Sequence, residues 1–160
     1  MTSDSAKIDT HSFDAYRLQH LIIRVYIGID FVHHFAEKFG LLGAPAREAV
    51  LRYFEGVSPP GQASTLLLLA GLCEFGAFIG FTFGFFTRWT AVGTALYLVI
   101  ASIMGGHFDN GFTWANPGGG WEYPLLWTVL CLSFVLTGGG RFSMDAWARR
   151  HTGLPRWLIA

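Results

Sequence analysis

An all-α fold built from four membrane-spanning helices is the class this sequence predicts, on three observations. Slightly more than half of the 160 residues are apolar (52%), aromatics are abundant at 16%, and charged residues make up only 14%. A water-soluble surface usually carries more charge than that. Four apolar runs then recur at lengths near the ~20 helical residues that cross a bilayer core, separated by glycine, proline and charge.

The first run extends from about Leu18 to Phe39 and is the most polar, the second from Ser64 to Phe86, the third from Trp89 to Gly106, and the fourth from Tyr123 to Thr137. The fourth is short, and Pro124 suits its first turn, where a missing N–H costs nothing. Between the first two runs, Pro45 precedes the segment Ala46 to Phe54, with Val50, Leu51 and Phe54 at helical spacing beside Arg47, Glu48 and Arg52, before Pro59, Pro60 and Gly61. This pattern predicts a short interfacial helix. The link from His107 to Trp121 is rich in glycine and aromatics, as a packed cap or a binding loop would be.

The domain organisation read from these runs is a polar N-terminal tail over residues 1–17, a four-helix domain over 18–147 and a basic C-terminal tail over 148–160. No signal-peptide pattern opens the chain, so the first run reads as a retained helix. Lys7, Arg17, Arg88, Arg141, Arg149, Arg150 and Arg156 fall on the side of the termini, against Lys38, Arg47 and Arg52 on the other. The positive-inside rule then expects both termini in the cytoplasm. Equal numbers of acidic and basic residues, 11 of each, give no basic excess for nucleic acid.

Charged groups inside a span are costly against lipid and normally face protein, so their positions carry the functional reading. At 100° per residue Asp30, His33, His34 and Glu37 share one arc of the first helix, with His20 and Arg24 at its edge. Glu74 falls near mid-membrane. His107 and Asp109 end the third helix on the outward side, Glu122 opens the fourth there, and Lys38 ends the first. These groups predict an outward-facing pocket running from His107 down to Glu74, with Trp114 and Trp121 placed to close it.

Burial brings a carboxyl into the range where it exchanges protons at working pH, and in that reading Glu74 and His107 are the proton-handling residues. Arg24, Asp30, His34, Lys38, Trp114 and Trp121 are then the ligand-binding residues. The plainer reading has Glu74 paired with Arg24 or Lys38 merely to hold the bundle. Asp30, His34 and Glu37 at i, i+4 and i+7, with His107, also admit a metal, but the spacing is unspecific and no metal is expected. Cys73 and Cys131 lie within apolar runs and read as core residues. Gly76, Gly80 and Gly84 recur at every fourth position, as in closely packed helices.

An intramembrane Glu74, a turn from Gly84 to Arg88, His107 at the end of the third span and "LTGGGRFSMDAW" after the fourth together resemble the DoxX/DoxD family. The stretch "GGHFDNGFTWANPGGGWEYPLLW" is especially similar to the DoxD branch, the small membrane subunit of thiosulfate:quinone oxidoreductase. Glu74, Arg88, His107, Gly138 to Gly140 and Asp145 match the family pattern, whereas "HHFAEKFG" around Lys38 is more polar than usual. The resemblance implies an inner-membrane subunit that passes electrons from a sulfur-type donor to membrane quinone, with a second protein docking on the outward face. A non-catalytic anchor for a redox or detoxification complex is the alternative, a solute transporter ranks last, and homo-oligomer formation is left open.

Overall fold

The computed structural model describes residues 4–155 and 157–159, with side chains from residue 15 onward; Arg156 and the side chain of Lys7, both counted for orientation, lie outside the described residues. The described residues form six helices and no strand. These are α1 (Asp4–Lys38), α2 (Ala44–Val57), α3 (Ala63–Phe83), α4 (Thr87–Met104), α5 (Glu122–Thr137) and α6 (Met144–His151).

Helix α1 begins well before the first apolar run. Its 35 residues extend about 52 Å at 1.5 Å per residue, well over a ~30 Å hydrocarbon core. The segment read as an N-terminal tail is thus helical from residue 4. In the same way α6 crosses the expected boundary between domain and tail at residue 147. Its start is set by Ser143, whose hydroxyl accepts from the Ala146 amide at 3.1 Å, an N-cap that composition alone obscures. The interfacial segment is longer than read, 14 residues with proline in its first turn and none buried.

Helix α1 packs against α3, α3 against α4, and α4 against α5. The ring pairs His20–Phe134 and Tyr26–Trp127, with centroids 4.8 and 6.1 Å apart, bring α5 onto α1. The shared core contains Ile27, Phe31, Ala77, Phe81, Ala91, Ala95, Trp127, Cys131 and Phe134. Small residues set the closest approaches. A methyl group on Gly28 would meet Thr82, and one on Gly80 would meet Thr90, whereas Gly76 faces open space. Two members of the every-fourth-residue glycine row, Gly80 and Gly84, therefore pack closely and the third does not.

The outer faces are apolar. Leu68, Leu69 and Leu72 on α3, Leu96, Ile100 and Ile103 on α4, and Leu126, Val129 and Leu136 on α5 are all exposed. Helices α3 and α4 are long and apolar enough to cross a membrane, and most of each is not buried inside the protein. Lipid is the medium such a surface requires, because water would leave it as one large apolar patch. Helix α5 is apolar over 16 residues.

One end of the bundle is fastened by two buried charges of opposite sign. Arg24, 1% exposed, donates to the carbonyls of Phe81 at 2.6 Å, Thr82 at 3.3 Å and Phe142 at 2.7 Å. The first two belong to the last turn of α3, where unpaired carbonyls and the helix dipole attract a cation. Asp145, also 1% exposed, accepts from the Phe86 amide at 2.7 Å and from the Thr87 amide and hydroxyl, both at 2.8 Å. It caps the N-terminus of α4 from a distant part of the chain. The cap holds Phe86 in the left-handed region (φ 46°), a conformation that costs a non-glycine residue on the order of 1–2 kcal/mol.

Candidate functional site

Glu74 is the twelfth residue of α3, roughly 16 Å along the helix from Ala63. This puts it halfway down the bundle. Its side chain is 5% exposed and forms an ion pair with Lys38 at the end of α1, Nζ to Oε1 2.9 Å, the lysine being 9% exposed. Lys38 also donates to the His34 carbonyl at 3.2 Å. The Tyr97 hydroxyl on α4 donates to the same Glu74 oxygen at 2.5 Å. Three helices thus meet at one carboxylate oxygen. The other, Oε2, is buried and has no hydrogen-bond partner.

This triad forms one wall of a cavity of about 370 Å³. Asp30 and His34 of α1, Tyr53 and Phe54 of α2, Ser102 of α4 and Trp127 of α5 also face it. His107, Trp114 and Tyr123 form its mouth. Because α2 buries no residue of its own yet turns Tyr53, Phe54 and Val57 to the cavity, it covers the space without being part of the core.

The loop at the mouth is folded upon itself. His107 Nδ1 lies 2.8 Å from the Gly119 carbonyl; since a carbonyl only accepts, Nδ1 carries a proton, and Nε2 is left for a further partner. Asn110 donates to the same carbonyl at 3.2 Å and Asn116 to the Asn110 carbonyl at 2.8 Å. The Glu122 carboxylate accepts from the Trp114 amide at 3.0 Å, and the Trp121 and Glu122 amides bond to Gly111 and Phe112. Gly120 is buried against the carbonyls of Gly111, Phe112 and Thr113, where no side chain fits. Trp114 packs on His107 and Tyr123, with centroids 5.5 and 5.1 Å apart.

Of the residues singled out from the sequence, Glu74, His107, Asp30, His34, Lys38 and Trp114 line this one cavity. Arg24 and Trp121 do not. Arg24 lies 14 residues before Lys38, roughly 21 Å along α1, and is engaged by the carbonyls at the far end. Trp121 instead stacks on Phe108 and meets Phe112 edge-on beside the mouth. The polar arc of α1 does not all face protein: His33 and His34 are exposed, and His33 pairs with Glu37 on the surface at 3.0 Å. The opposite face of the same two turns is the buried one, with Phe31, Phe35 and Ala36 against the protein. Among the described residues no group of three or more His, Cys, Asp or Glu side chains is arranged to hold a metal ion.

Tyr97 is the functional candidate that the sequence reading missed. A tyrosine within "ALYLVIAS" looks like one more apolar residue. The available signal was the face it shares: Thr87, Thr94 and Ser102 are buried, and Thr90, Thr94, Tyr97 and Ala101 recur at helical spacing, marking the side of α4 that meets α3.

No curated protein and no solved structure matches the chain. The profile of one family, DoxX, matches residues 20–107, which include all of α2, α3 and α4, the Lys38–Glu74–Tyr97 triad, Arg24 and His107. With more than half of its length covered by that match and an apolar, lipid-facing exterior, this chain belongs to the DoxX family of membrane proteins.

Proposed function

We propose that the chain is the membrane subunit of a quinone-linked oxidoreductase, with α1, α3, α4 and α5 all crossing the bilayer, both termini cytoplasmic and the Glu74 cavity opening in the outer half. The observation that carries this reading is the buried, unpartnered Glu74 Oε2 on the wall of a largely apolar cavity. An unsatisfied buried acceptor costs roughly 1–3 kcal/mol, which a ligand hydroxyl placed there recovers. A cavity of about 370 Å³ lies at the small end of ligand pockets and fits a ring-sized head group whose apolar tail continues into lipid.

A bound quinone would supply two-electron, two-proton chemistry, and Glu74, Lys38, Tyr97 and His107 are the residues fit to hold it. Reduction of the ring to the quinol takes up two protons, and Glu74 Oε2 is the group placed to pass one to the ring and then to accept from the quinol hydroxyl it forms. Lys38 balances the carboxylate charge, so that an uncharged ring can enter without desolvating a bare anion. Tyr97 fixes the carboxylate orientation. His107 stands at the mouth, where the protons taken up by the reduced ring enter, and α2 with Trp114 limits water entry. Electrons come from a partner protein that oxidises a sulfur-type donor such as thiosulfate, since the sequence contains no dinucleotide or haem motif.

A second reading is supported by the loop: Phe108 and Phe112 are each 50% exposed on a rigid, internally bonded frame, as on a docking platform for an anchor subunit. The two readings separate by experiment. Short-chain quinone analogues, oxidised and reduced to the quinol, are titrated into detergent-purified protein, with fluorescence quenching of the cavity residues Trp114 and Trp127 as readout. Binding in the cavity predicts saturable quenching, and for the reduced (quinol) analogue, whose hydroxyl donates to Oε2, an affinity loss of about 10- to 100-fold for Glu74→Gln, the value of a hydrogen bond to a charged group. An anchor alone predicts no specific quenching, and loss of partner co-purification when Phe108 and Phe112 are replaced by serine.

A further inference from the structure

A second cavity, of about 680 Å³, opens at the other end of the bundle, between α1, the Gly138–Ser143 turn and α6. Arg17 of α1, Arg141 of the turn, and Arg149 and Arg150 of α6 all line it, together with Tyr16 and His20. No aspartate or glutamate is among its described lining residues. Arg141, Arg149 and Arg150, from two separate elements, thus converge on one concave space. Gathering like charges at the edge of a low-dielectric bundle is unfavourable unless an anion offsets it.

The cations are positioned rather than loose. Arg149 donates to the Ile159 carbonyl at 2.8 Å and Arg150 to the Ala146 carbonyl at 3.1 Å, which fixes both stems while other N–H groups of each guanidinium stay available. Gly140, at φ +73° and packed on the His20 ring, sets the turn that presents Arg141. His20 is itself held by Thr137 at 3.0 Å. The surface next to this mouth is apolar, with Leu18, Ile22 and Leu136 exposed at 55, 58 and 81%. A basic concavity beside a lipid-facing wall matches an amphiphile with an anionic head, and guanidinium forks match phosphate oxygens.

We propose that this cavity is a binding site for a phosphate-type anion, filled in the membrane by the head group of an anionic phospholipid. The site is independent of the Glu74 cavity: it shares no lining residue with it, and its test does not depend on quinone. Native mass spectrometry of the full-length protein in mild detergent is carried out with phosphatidylglycerol, with phosphatidylcholine and with inorganic phosphate as separate additions.

The wild type is expected to retain phosphatidylglycerol in preference to phosphatidylcholine. Arg141→Gln should weaken retention about fivefold, and the triple variant Arg141→Gln, Arg149→Gln, Arg150→Gln about 100-fold, from the usual contribution of each basic residue facing anionic lipid. Inorganic phosphate that displaces the lipid at millimolar concentration identifies the phosphate group as the recognised moiety; failure to displace it with lipid preference intact assigns the site to lipid alone. Equal retention of the two lipids together with no phosphate binding would overturn the proposal. So would undiminished preference in Arg141→Gln, a surface change that leaves the fold intact if the triple variant does not fold.

Discussion

Replacing Lys38 by methionine tests the architecture of the Glu74 site most sharply, because it removes a charge and little volume. In the wild type the ammonium lies 2.9 Å from Glu74 Oε1, with the two side chains 9 and 5% exposed. At such burial, loss of one partner leaves the other desolvated and unpaired, at a cost of about 3–5 kcal/mol. Glu74→Gln should cost a similar amount by stranding the ammonium. The double variant, with neither charge, should return close to wild-type stability, since replacing a whole buried pair by neutral groups is often nearly neutral. Reversible unfolding in mixed micelles on addition of sodium dodecyl sulfate measures all four proteins, and the cycle isolates the pair. Additive losses, or a loss under about 1 kcal/mol for Lys38→Met as at a solvent-exposed pair, would refute the reasoning.

Asp145→Ala strands two amides and one hydroxyl at the start of α4 and should destabilise by about 3 kcal/mol or more, visible as a lower unfolding midpoint, while the folded fraction keeps its affinity for a quinone analogue. Arg24→Lys keeps the charge but lacks the fork that reaches three carbonyls; thermal stability should fall with no change in analogue affinity, and a selective loss of affinity would put Arg24 back in the site. Gly120→Ala drives a methyl into three carbonyl oxygens, so hydrogen exchange at the Trp114 and Trp121 amides should accelerate while α3 and α4 amides are unaffected. Tyr97→Phe removes one of the two donors to Glu74 Oε1 and should weaken analogue binding less than Glu74→Gln does.

The spans were legible in the sequence because lipid demands apolar length: the expected second and third runs differ from α3 and α4 by only a few residues at their ends. The clustering of Glu74, Lys38 and His107 was legible for a related reason. Charge is expensive in that medium, so Glu74 and Lys38 mark protein-facing surface, whereas His33 and Glu37 at the end of α1 pair on the outside. Lys38 as partner of Glu74 was one of two candidates, and burial decided it, since Arg24 is held by the end of α3. What was not legible depended on contacts between distant segments. Asp145 capping α4 follows from the return of α6 to the Gly84–Thr87 turn, which no local pattern encodes. The extension of α1 to Asp4 was hidden by polar composition, which fits a helix outside the bilayer as well as a tail. Trp121 was misplaced because a loop's internal hydrogen bonds decide which of its aromatics face inward.

The central claim is that the Glu74 cavity holds a quinone head group. A photoreactive quinone analogue, illuminated in membranes containing the protein and followed by mass spectrometric mapping, tests it most directly. The account predicts labels on residues lining the cavity, such as Tyr97, Met104 and Trp127, competed away by excess unlabelled quinone and lost in Glu74→Gln. Labels confined to lipid-facing positions such as Leu132 and Leu136, indifferent to competitor, would contradict it.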